Sequence, residues 1–383
     1  RFRKTGDVLF ISGCSYEELP QCYRYRILHQ IEHLKAGDLE SNICFFNDLD
    51  LLLVNDYRFI IFYRCPWTPT VEKAIEHAKL LNKRVFFDID DLVIDTKYTN
   101  LLPYIQTMTT SERDQYENGV NLIGKTLKLC QGAITTTEIL QRELKNYVSE
   151  VFINHNVANE EMFQLSLKAI DRKSKRKKKD EIIIGYFSGS ITHNSDFNLI
   201  LPALKKILKE FNKVKLMIVG ELKLSDELKE FSSQIVTHSF VNWKKLPELI
   251  SNVDINIAPV EDNIFNEAKS EIKWVEASLV KVPTIASNIG SFKKKIINGK
   301  TGFLCTNNED WYNALKKLLI DEDLKIAIGQ NAFEFCKKNY NSLYTGYKIS
   351  NYINSITTKH IGFFLPSLQI SADVIAVLMH SCF

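Results

Sequence analysis

Apolar residues fall into two alternating kinds of segment. Short continuous runs at Val8 to Ser12, Ile43 to Phe46, Phe59 to Tyr63, Arg84 to Asp88, Gly132 to Thr135 and Val151 to Asn154 predict strands buried on both faces. Longer stretches with helical periodicity separate them, at about Cys22 to Lys35, Thr70 to Leu81, Ser111 to Leu129 and Thr137 to Asn146. Ser111 is placed as the N-cap of the third. Strands alternating with helices make βαβ units and hence one doubly wound α/β domain.

The pattern then restarts. IIIGYFSG (182–189), VKLMIVG (214–220), Ile235 to His238 and Ile255 to Ala258 read as strands. Helices are expected at Asp196 to Glu210, Ser225 to Phe231 and Trp243 to Asn252. A helix capped by Ser270, a strand ending in Ala286 and Ser287, a turn bracketed by Gly299 and Gly302, and a helical region from about Asp310 to Lys338 complete a second such domain. The expected layout is therefore 1–170, a basic linker at 171–180, 181–355, and a segment 356–383 that reads as the truncated start of a further domain (IGFFLPS as strand, LQISA as loop, DVIAVLMHSCF as helix). The chain opens on Arg1 rather than Met, which suggests a piece excised from a longer polypeptide.

With 383 residues, 45% hydrophobic and 25% charged, the composition is that of a soluble globular protein with room for two cores. A net charge of +3 gives no argument for nucleic acid as a partner. The positive excess is local, RKSKRKKK at 172–179, which suits a solvated linker or contact with an anionic membrane surface at about 1 kcal/mol per basic residue. Eight scattered cysteines without CxxC spacing, and no leader-like segment, fit reduced thiols in the cytoplasm. A place at the inner face of the membrane would follow if the basic run touches lipid.

In α/β folds ligands sit at the carboxyl ends of strands, and anions at helix N-termini. The stretch Asn256 to Cys305 supplies both. On the helix expected after Ser270, Lys273 and Glu276 lie about one turn apart on one face, with Lys269 in the entry turn. A cation there can meet a phosphate while the carboxylate accepts from a sugar diol. The competing reading is an exposed ion pair worth about 0.3 kcal/mol. The loop Tyr186 to Asp196 (YFSGSITHNSD) offers Gly189 for close backbone approach and Ser190, Thr192, His193 and Asn194 as hydrogen-bonding groups for a diphosphate. Gly220 ends the next strand, and Phe240 and Val241 precede the Trp243 helix, where a nucleotide base could be clamped or a core simply packed.

In the first half, Phe86 to Asp95 (FFDIDDLVID) places Asp88, Asp90 and Asp91 after a strand. Such carboxylates can bind a divalent metal through oxygen, orient an acceptor hydroxyl without metal, or cap a turn. Arg24, Arg26 and Arg64 are further candidates for an acceptor or phosphate.

KSEIKWVEASLVKVPTIASNIG (269–290) followed by NGKTGFL (298–304) resembles the donor-binding region of retaining glycosyltransferases of family four, and YFSGSITHNSD resembles a bacterial polysaccharide-pathway subset. The resemblance implies a GT-B fold, two Rossmann-like domains facing a central cleft. It implies a nucleotide diphosphate sugar as donor, a glycan or lipid-linked acceptor, retention of configuration, and no metal or other cofactor. Gly189 to Asn194, Gly220, Phe240, Val241, Lys269, Ser270, Lys273 and Glu276 would hold the donor, with Asp90, Asp91 and Glu267 as the catalytic candidates. The family often carries two glutamates eight positions apart; eight before Glu276 stands Ala268, with Glu267 beside it. A metal-dependent transferase centred on Asp88, Asp90 and Asp91, a non-catalytic nucleotide-sugar module, and a sugar epimerase of the same fold are the competing readings.

Overall fold

The computed structural model describes residues 6–176, 180–188 and 194–361, the last four without their side chains. Two parallel six-stranded sheets form the framework. The first contains β1 (Val8–Ser12), β2 (Ser41–Phe45), β3 (Phe59–Tyr63), β4 (Arg84–Asp88), β5 (Gly132–Thr135) and β6 (Glu150–Ile153), in the order β2-β1-β3-β4-β5-β6. The second contains β7 (Ile182–Phe187), β8 (Val214–Val219), β9 (Ile235–His238), β10 (Ile255–Ala258), β11 (Thr284–Ser287) and β12 (Phe303–Cys305), in the order β12-β11-β10-β7-β8-β9. β1 and β3 are wholly buried, as continuous apolar runs require under helices on both faces. Strand order reverses between β1 and β3 and between β7 and β10, and ligand crevices of doubly wound sheets lie at such points.

Local chemistry moved several helix ends. The third helix of the first half is Thr110–Leu129, and its cap is Thr109 rather than Ser111. Thr109 and Glu112 form a reciprocal capping box, which the Thr-x-x-Glu spacing favours. The expected helix from Asp196 to Glu210 is two, Asn194–Asn198 and Leu201–Glu210, with Pro202 in the first turn of the second. Asp226–Gln234 is 3₁₀-helical with a kink at Phe231, and Ser225 caps its start. The region from about Asp310 breaks at Asp321, which caps Glu322–Asn339 after Asn308–Ile320.

The chain crosses between the sheets twice, at places other than the expected boundaries. Helix Glu160–Ser174 packs on the second sheet, with Ala169 against Met217, Val219 and Val280. The basic run begins inside this helix: Arg172 pairs with Glu248 at 2.7 Å, and Lys173 Nζ donates to the Val253 carbonyl at 3.0 Å. Helix Ser342–Ile361 returns to the first sheet, where Ile349 and Ile353 join Val8, Phe10 and Phe59 and Tyr352 stacks on Phe152 at 4.0 Å. Residues 177–179 and the expected strand and helix beyond Ile361 lie outside the described residues. Among the described residues no helix is long and apolar enough to cross a membrane.

Candidate functional site

The carboxyl ends of the two sheets face one another across a cavity of about 400 Å³. From the second domain it is lined by Phe187 at the end of β7 and Ser188 after it, Val260 after β10, Trp243, and Lys269, Ser270, Lys273 and Glu276. From the first it is lined by the segment after β1, including Arg24 and Tyr25, by Asp90 and Asp91 after β4, and by Asn156.

The second-domain wall is built on helix Ile272–Ser278. Trp274, Val275, Ala277 and Ser278 are buried, which leaves the opposite side for Lys273 and Glu276. Ser270 is not its cap: Glu271 precedes the helix without a side-chain cap bond, and Ser270 Oγ accepts from Asn156 Nδ2 at 3.2 Å. The Lys273 stem is partly exposed, but its ammonium is enclosed and has no hydrogen-bond partner among the described residues. Burial depresses its pKa to about 8, opposed by Asp196 and reinforced by Lys269. The ring of Tyr186 lies 5.2 Å from it. Glu276, 6% exposed, accepts from Tyr25 Oη at 2.6 Å and from Arg24 Nη2 at 3.4 Å, both across the domain boundary.

The first-domain wall is acidic but largely neutralised. Asp88 is buried and takes a bidentate pair from Arg26 at 2.8 and 2.6 Å. Arg26 also donates to the Asn154 carbonyl and to Asn156 Oδ1. Asp90 accepts twice from Arg64, at 3.1 and 2.9 Å, and Asp91 lies 3.6 Å from the same guanidinium. Burial raises the Asp91 carboxyl, and its Oδ1 is enclosed without a partner among the described residues. Asp88 is committed to Arg26, and among the described residues no group of three His, Cys, Asp or Glu is placed to hold a metal. Arg26 and Arg64 likewise serve these carboxylates.

Residues 168–335 match the model of the family described as glycosyl transferases group 1. Through this stretch, the chain is similar to the glycosyl transferases group 1 family. CapM of Staphylococcus aureus, a capsular polysaccharide biosynthesis glycosyltransferase, is 25% identical over 189 residues, 48% of this chain and 48% of that protein. The chain thus spans about half the length of that curated relative. Two solved structures share the fold at 13% identity and a TM-score of 0.60. HepE of Anabaena, solved in complex with UDP, is matched over 91% of this chain and 100% of its own. Sucrose-phosphate synthase from Thermosynechococcus elongatus is matched over 92% and 100%. The two-sheet architecture is GT-B, as the motifs implied.

Within this glycosyltransferase fold the expected site residues separate into three groups. Asp90, Asp91, Phe240, Val241, Lys269, Ser270, Lys273 and Glu276 line one cavity. Phe240 is 58% exposed, so it stands at the mouth. Gly220, Asn194 and Glu267 are not among the lining residues. Gly220 has a positive φ of 98° and backs onto the Ser188 carbonyl, where a Cβ would fall within 2.1 Å, so it shapes the loop carrying Ser188. Asn194 Oδ1 accepts from the Lys223 amide. Gly189, Ser190, Thr192 and His193 lie outside the described residues.

Glu267 ends the short helix Ile264–Glu267, and its backbone lies where a side chain on Gly290 would fall. From this segment Asn266 and Lys269 line the cavity, and Glu267 is not among its lining residues. Ala268 is fully buried in the first domain's core, and its carbonyl accepts from Thr137 Oγ1 at 2.9 Å. A carboxylate at that position would be desolvated against apolar side chains. Tyr25 and Trp243 were not singled out for the site. Their aromatic character in helical stretches gives no sign that a second domain stands opposite.

Proposed function

We propose that this chain transfers a sugar from a nucleotide diphosphate sugar to a glycan or lipid-linked acceptor in cell-surface polysaccharide biosynthesis, as a retaining hexosyltransferase. The observation that carries the reading is the enclosed ammonium of Lys273, without a hydrogen-bond partner among the described residues, one helical turn from Glu276 in a cavity between two doubly wound domains. Lys273, with Lys269 beside it, meets the leaving diphosphate, and preorganised charge of this kind is the largest single contribution in many transfer reactions. Glu276 takes the ribose hydroxyls. Asp91, through its free oxygen, receives the acceptor hydroxyl, and Arg64 holds Asp90 in place beside it. Phosphate charge met by lysines leaves no required role for a metal. The function of CapM and the UDP bound to HepE support this reading.

Lys273→Ala and Glu276→Ala should each weaken UDP binding about tenfold or more and lower transfer in parallel. Full affinity and full activity in both variants would sink the assignment. A second reading, a nucleotide-sugar-binding module without turnover, is favoured by Ala268, which stands where the family's first glutamate is expected. UDP-sugar binding without product across a panel of acceptors would decide for it.

A further inference from the structure

Arg24 lines the cavity from the first domain and is 3% exposed. Its guanidinium lies 4.4 Å from the ring centroid of Tyr25 and 4.8 Å from that of Trp243, and the two rings support it while its edge stays available to hydrogen-bond. Its Nη2 donates to Glu276 at 3.4 Å. Nε and Nη1 are enclosed and have no partner among the described residues. An ionised guanidinium with two buried nitrogens unmet is costly, and an oxyanion is the chemistry that completes it.

Local backbone explains the aim. Arg24–Leu28 is a π-helical turn between the helices Pro20–Tyr23 and His29–Lys35. Such an insertion re-registers consecutive side chains. Arg24 and Tyr25 point across the boundary to Glu276, while Arg26 turns back to Asp88.

We propose that Arg24 is a donor-binding residue supplied by the first domain, whose free guanidinium edge takes an oxyanion of the nucleotide diphosphate, with Lys273 serving it from the second domain. The proposal rests on the reading of Lys273 and Glu276 given above. The diphosphate is favoured over an acceptor anion because the contacts of Arg24 in the second domain are Glu276 and Trp243. Arg24 and Tyr25 hold the Glu276 carboxylate. A ribose diol displaces the Tyr25 hydroxyl, which retains Met162 Sδ at 3.7 Å as a second neighbour. Filling the site then exchanges one set of interdomain contacts for another through the ligand.

The test is calorimetric titration of the full chain with UDP and with uridine, for the wild type, Arg24→Gln, Arg24→Lys, Tyr25→Phe and Lys273→Ala. Arg24→Gln should weaken UDP about tenfold and leave uridine nearly unchanged. Arg24→Lys should recover only part, since a point charge does not replace the fork. Tyr25→Phe keeps the ring, frees Glu276 and should tighten UDP. If Arg24→Gln binds UDP like the wild type while Lys273→Ala loses it, the proposal falls and the reading of the site stands. If both variants bind like the wild type, both fall. An unchanged UDP affinity with a raised acceptor KM would assign Arg24 to the acceptor and overturn the proposal. Thermal melts of the ligand-free variants separate misfolding from a lost contact. Should Arg24→Gln fail to fold, an unchanged UDP affinity in Arg24→Lys overturns the proposal.

Discussion

At the carboxyl end of the first sheet, Asp88 and Asp90 are each held by an arginine of their own domain, Arg26 and Arg64. At the carboxyl end of the second, the ammonium of Lys273 is enclosed without a partner among the described residues, and Glu276 is met from across the boundary. Both clusters are charged side chains at the carboxyl ends of similar sheets. They differ in whether the domain satisfies its own charges. A satisfied buried charge holds structure, and an unsatisfied one facing a cavity is available to a ligand.

Stability should separate the two clusters most widely. Asp88→Asn or Arg26→Met leaves a buried partner uncompensated and should destabilise the fold by about 3–5 kcal/mol, read by urea unfolding. Lys273→Met removes an enclosed charge that no hydrogen bond satisfies among the described residues, and should leave stability unchanged or raised, with a change under about 1 kcal/mol in the unfavourable direction. Equal losses in the two would abolish the contrast.

The next effect is on pH. The Lys273 amine, depressed to about 8 from its ordinary 10.5, is charged in the free protein below that value and neutral above it. A diphosphate raises the pKa again, so binding above pH 8 takes up a proton and UDP affinity falls as pH rises through about 8. Lys273→Arg should remove the slope. In the ligand-free protein the unfolded chain holds the extra proton between about 8 and 10.5, so stability rises with pH across that window and this contribution is absent in Lys273→Met. A pH-independent UDP affinity in the wild type would show that the amine is not at the anion.

The smallest expected effect is that of metal removal. With Asp88 and Asp90 engaged by arginines, prolonged chelation should leave transfer within about twofold of the untreated rate. Loss of activity restored by magnesium would show that Asp90 and Asp91 leave Arg64 for a metal, and would turn the closed cluster into an open one.

Much of the fold was legible because its signals are local. β1, β3, β4, β5, β9 and β10 lie where continuous apolar runs end in polar or turn residues. Helix caps were less so, since Thr109 outcompetes Ser111 only through the reciprocal bond with Glu112. Lys273 and Glu276 were legible as a pair because helix geometry alone puts them on one face. Which residues of the Glu267 segment line the cavity was not legible, because the turn before the helix is held by the contact of Ala268 with Thr137 of the other domain, and it is Asn266 and Lys269 that line it. The basic run read as a linker because charge density was visible and its partner Glu248, in a distant segment, was not.

The sequence by itself determined two doubly wound domains, the strand ends at which a ligand could bind, and a lysine and glutamate one turn apart. These follow from hydrophobic periodicity and backbone geometry, which act over a few residues. Tertiary structure decided which charges are already spoken for. Asp88 meets Arg26 across 62 positions of chain, and Glu276 meets Tyr25 across 251. Pairing at that range depends on how two sheets and a π-turn are set against each other, because desolvation and hydrogen bonding are properties of the packed surroundings and not of the residue.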